Sequence, residues 1–81
     1  MNAVMNRFMV DAVVSKDQAE HLISLANKAF AAQEESHNTG KSANIQIANF
    51  ERYAKKLGLS VTWPGMWPLL HKNGRELHLP E

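Results

Sequence analysis

Gly40-Lys41-Ser42 carries the residue types that end a phosphate-binding loop: a glycine for the turn, a lysine for phosphate and a hydroxyl for magnesium. That loop also needs a glycine five residues earlier so that successive backbone amides can cradle the anion. Glu35 holds that position, and no strand-like run precedes it. Nucleotide binding is not expected from this match, and no cofactor is assigned.

A second constellation is His71, Glu76 and His78. Asn73-Gly74 is a strong two-residue hairpin signal, and a turn there sets Leu70 opposite Leu77, His71 opposite Glu76 and Leu69 opposite His78. One face of the hairpin is then Leu70, Leu77 and Leu79, the core side; the other shows Leu69, His71, Glu76 and His78 to solvent. Two imidazoles and a carboxylate on one face are ligand types for zinc or iron. A fourth ligand is not evident, and solvated polar residues on an outward strand face give the same pattern, so no metal is assigned. His21 and His37 read as surface residues.

No Gly-x-Ser-x-Gly elbow, His-Glu-x-x-His helix or paired-carboxylate pattern is present, and nothing in the order of residues places a nucleophile beside a base. A chain of 81 residues has little room to enclose a substrate-sized cavity unless two copies share it. No catalytic residue is assigned, and the expectation is a protein that is not an enzyme.

Bases and phosphates are the remaining chemical targets. Net charge is +1, but residues 1–40 carry three basic and five acidic side chains while residues 41–81 carry six and three, so any polyanion belongs to the second half. Asn49, Arg52 and Lys56 share one face of a helical pattern with Ile45. Asparagine and arginine are the types that read adenine and guanine edges, while Lys41, Lys72 and Arg75 can meet phosphates.

The elements that must hold these residues follow from periodicity. Residues 3–14, AVMNRFMVDAVV, read as a helix apolar on nearly every side. Such a helix must be covered all round, and one small domain covers one side. A second copy of the chain is the expected cover, through Val4, Met5, Phe8, Met9 and Val13. Ser15 with Gln18 forms a capping box ahead of a helix over 16–33, with apolar residues at 19, 22, 23, 26, 29 and 30. Residues 34–41, EESHNTGK, read as a loop. Ser42 then caps a third helix over 43–57, closed by Gly58 and by Leu59 folding back on Ala54.

After Gly58 the period becomes two, with strands expected over 59–63, 69–71 and 75–79. Between the first two lies TWPGMWP, Thr62 to Pro68, with both tryptophans. Pro64-Gly65 suits the centre of a type II turn, the glycine taking a positive φ, and Pro68 cannot donate to a ladder. The stretch reads as a corner, with Trp63 and Val61 turned inward and Trp67 able to touch a partner.

The fold expected is one α+β domain over residues 1–81: three helices, then a small C-terminal antiparallel hairpin or sheet. At this length only about 60% of the unfolded surface is buried on folding, and without cysteine neither disulfides nor thiolate zinc sites add stability. That again favours a homodimer. The N-terminal apolar run is far short of the ~20 residues a bilayer requires, and it lacks the form of a secretion signal. A cytoplasmic protein without membrane contact is expected. The function read from these features is a small non-catalytic protein-interaction or regulatory module with an unknown partner. The alternative is a winged-helix-like DNA-binding regulator, because helix, helix, helix and hairpin is that fold's order of elements.

Overall fold

Ser15 and Gln18 exchange two hydrogen bonds at the start of α1 (Lys16–Thr39): the Gln18 amide donates to the Ser15 hydroxyl at 3.1 Å, and the Ser15 amide donates to Gln18 Oε1 at 3.0 Å. Two orphan donors are satisfied, and the capping box read from the sequence is present. The computed structural model describes residues 7–80. Along α1 the buried residues are Ala19, Leu22, Ala26 and Ala29, one narrow stripe of mostly small side chains that lets the neighbouring helix approach closely.

The helix does not stop at Gln33. It continues to Thr39, so most of the expected loop 34–41 is helical. Polar composition misled the reading, because the last turns of α1 are largely solvent-facing and ask for no apolar residue. Their end is chemically marked: the Thr39 hydroxyl donates to the Glu35 carbonyl at 2.8 Å. Gly40, at φ 78°, then donates its amide to the Ser36 carbonyl at 2.9 Å. A left-handed residue just past a helix is the usual glycine stop.

α2 (Asn44–Lys56) buries Phe50 and Ala54. Its N-cap position is Ala43, not Ser42, although the Ser42 hydroxyl accepts from the Asn44 amide at 3.2 Å. At its other end Gly58 adopts φ 79°; the Leu59 amide reaches back to the Ala54 carbonyl and the Gly58 amide to Lys55, both at 2.9 Å. This is the pair of bonds of a Schellman motif, as the sequence indicates.

The expected helix over 3–14 is the largest correction. Arg7–Met9 forms a strand, β1, and Val10–Ala12 a single 3-10 turn, so the described residues hold two α-helices and not three. Residues 3–6 of that expectation, with Val4 and Met5, lie outside the described residues. Sheet pairing overrode helix propensity here: Phe8 sits in register with buried Leu77, and Val10 is buried in the core.

β2 (Ser60–Thr62), β3 (Leu69–Lys72) and β4 (Arg75–His78) complete a four-stranded sheet in the order β1-β4-β3-β2. The last three strands are antiparallel and β1 joins β4 in parallel. The turn at Asn73-Gly74 has φ of 54° and 78°, the two positive values of a type I′ hairpin, and it sets Leu70 against Leu77 and His71 against Glu76. The α+β class and the C-terminal antiparallel strands therefore stand. The core gathers Val10, Leu22, Phe50, Leu70 and Leu77 between the helices and one face of the sheet.

The TWPGMWP corner is held by side chains more than by turn geometry. Gly65 does not take a positive φ, so the expected type II turn is absent. Trp63 packs edge-on to Phe50 with centroids 5.7 Å apart, and its Nε1 donates to Glu51 at 2.8 Å. Gln33 Nε2 donates to the Met66 carbonyl at 2.9 Å, and Trp67 Nε1 donates to the Leu79 carbonyl at 2.8 Å. Trp67 also meets Phe30 edge-on at 6.2 Å.

Candidate interaction surfaces

Strand alternation turns Leu70, Leu77 and Leu79 toward the core, which leaves Leu69, His71, Glu76 and His78 on the opposite face of the sheet. In the parallel register Met9 stands beside His78 on that face and is 45% exposed. Leu69 and His78 in turn line a groove of about 500 Å³ with Phe30, Met66, Trp67 and Pro68. Met9, His78 and Leu69 thus form one row across the face away from the helices; Trp67 lines the groove at the end of that row but also packs against the core and Phe30 of α1. Of the partner-binding candidates from the sequence, Met9 lies on the row and Trp67 at the groove. The indole N–H of Trp67 is already spent on Leu79, so the residue offers its ring and not a donor.

Val13, 42% exposed, sits near the hairpin turn in a second groove of about 440 Å³ with Ala12, Lys72, Asn73, Arg75 and Leu77. Phe8 is placed by backbone register alone. Leu69 and Met66 were not singled out from sequence as partner residues; the signal for Leu69 was its alternation with core-facing Leu70.

The polar side of the same face has short-range chemistry that residue order did not reveal. Thr62 Oγ1 and His71 Nε2 are 2.8 Å apart, a hydroxyl beside an imidazole. Ser60 and Glu76 flank His71 in register. Thr62 is exposed, and the pair is a cross-strand hydrogen bond between β2 and β3. His78 Nε2 is buried without a hydrogen-bond partner, 3.7 Å from Glu76 Oε1, which is too far for a hydrogen bond. Among the described residues no group of three or more His, Cys, Asp or Glu is arranged to hold a metal ion.

The nucleic-acid candidates are divided. Asn49, Arg52 and Lys56 are on α2, where Arg52 Nη1 donates weakly to Asn49 Oδ1 at 3.4 Å, and Ile45 on that helix is 74% exposed. Lys41 precedes α2 while Lys56 ends it, about 20 Å of helix apart. Lys72 and Arg75 pair across the hairpin tip, at the end of the molecule where α2 stops and β2 begins opposite His71. The connection between the helices, residues 40–43, is only four residues long, shorter than the sequence implied.

No helix among the described residues is long and apolar enough to cross a membrane. The chain matches no family model, no curated protein and no solved structure.

Proposed function

We propose that this chain is a small non-catalytic interaction module that docks protein partners on the uncovered face of its sheet. The observation that carries the reading is Met9, 45% exposed beside His78, with half-buried Leu69 next in the same row on the face away from the helices and the groove at Trp67 beyond it. Apolar side chains left in water together mark an interaction site more often than scattered ones do. Absence of cysteine suits work in the cytoplasm.

An environment-sensitive apolar dye tests the reading. The folded chain should bind it, Met9→Lys and Leu69→Lys should each weaken binding, and Ile45→Lys on α2 should not. A folded chain that binds no dye, or binds it only through Ile45, contradicts it.

One observation favours a second reading, DNA binding through α2. A four-residue connection containing a left-handed glycine is the length a helix-turn-helix uses, where the expected loop over 34–41 is too long for one. The winged-helix form of that idea loses its frame, since the described residues hold two helices and a parallel β1. Glu51 also lies among the α2 candidates in sequence, and Lys41 is separated from Lys56 by the length of the helix.

A further inference from the structure

We propose, resting on the interaction reading, that His78 is an acid-sensitive gate on the row it shares with Met9 and Leu69: neutral, its ring completes an apolar row; protonated, it pairs with Glu76 and weakens docking there. The ring stands in the middle of the row, beside Met9 in the β1 register and one step beyond the Leu70–Leu77 pair on the side of Leu69, and it lines the groove at Trp67. Its side chain is 29% exposed, so whatever docks on the row meets a ring whose charge matters.

His78 Nε2 is buried without a hydrogen-bond partner, and Glu76 Oε1 stands 3.7 Å from it. The neutral ring leaves that atom unsatisfied, which is unfavourable. The imidazolium offers an N–H and a positive charge to the carboxylate instead. Glu76 is 55% exposed, and a turn of its carboxylate by about 1 Å reaches the length of a charge-assisted bond. A charged ring in the row then holds water that an apolar occupant must displace.

The groups around the ring single it out. On β3, His71 is one pair along, opposite Glu76, and its Nε2 is engaged with the Thr62 hydroxyl at 2.8 Å. On β1, Arg7 holds the register position beside Glu76, and its charge is constant over the working range. The corner residues 64–68 and Phe30 of α1, which line the groove, bring no titratable side chain. Histidine is the side chain whose charge changes between about pH 5 and 8. Of the two imidazoles on this face, only His78 lies in the row.

Titration of the chain with an uncharged apolar dye at about pH 8 and about pH 5.5 tests the proposal, with circular dichroism confirming the fold at both. Dye affinity should fall roughly fivefold in acid. His78→Gln should bind equally at both pH values, while His71→Gln should keep the parent's loss. In the parent, the ring protons of His78 should titrate with the same midpoint as the dye loss, a measurement that needs no variant. In acid the Nε2 proton should be protected from exchange in the parent and unprotected in Glu76→Gln; equal exchange in both overturns the pairing. Tighter binding in acid, a loss that survives His78→Gln, one abolished by His71→Gln, or ring protons with a different midpoint overturns the gate. Dye bound equally by the parent at both pH values overturns the gate alone and leaves the interaction reading standing; dye bound at neither overturns both.

Discussion

The indole nitrogen of Trp67 donates to the main-chain carbonyl of Leu79 at 2.8 Å, so the corner before β3 is fastened to the residue that follows β4. This bond fixes one end of the apolar groove and explains how a turn without a positive-φ glycine keeps its shape. Trp67→Phe preserves most of the apolar contact with Phe30 and removes only the donor. It should destabilise the chain by about 1–2 kcal/mol in urea unfolding, with the Leu79 carbonyl left unpaired. Unchanged stability would show that the bond is dispensable.

Gln33 holds the other side of the corner, donating to Met66 from the point where α1 outruns the core. Gln33→Ala should cost about 1 kcal/mol and raise amide exchange at Met66 and Trp67 above that of the hairpin. Equal exchange in variant and parent would remove Gln33 from the account.

The glycines separate cleanly. Gly58 closes α2 at φ 79°, and Gly65 has no such value, though a Cβ would meet open space at both. Gly58→Ala should therefore lose about 1 kcal/mol or more through left-handed strain. Gly65→Ala should be neutral or stabilise by up to about 1 kcal/mol. A thermal melt that reversed this order would restore the type II turn.

Phe50 is fully buried and carries the contact with Trp63. Phe50→Ala should cost about 3–5 kcal/mol, enough to unfold a small domain. A cooperative melt close to the parent's would contradict the assignment of this residue to the core.

Legibility in the sequence followed the strength of local chemistry. Ser15 with Gln18, Gly58 with Leu59, and Asn73-Gly74 each specify a bond or a dihedral within a few residues, and each is found as read. β1 could not be read because its partner β4 is about seventy residues away in sequence, and an apolar run of that length suits a helix or a strand equally. The last turns of α1 could not be read because a solvent-facing helix end and a polar loop share a composition. The row of Met9, His78 and Leu69 and the groove at Trp67 depend on the parallel register and the corner, so only their members, not their adjacency, were visible.

The most direct measurement of the central claim is the backbone amide spectrum of the labelled chain titrated with the environment-sensitive apolar dye, repeated with a short DNA duplex at low and physiological salt. The account predicts shifts at Met9, Leu69 and His78 as dye is added, and none of note at Asn49, Arg52 or Lys56 when duplex is added. Shifts centred on α2 with duplex would contradict it. The same holds for an affinity falling with salt at a slope of about −0.9 per phosphate contact, which would make the chain a nucleic-acid binder.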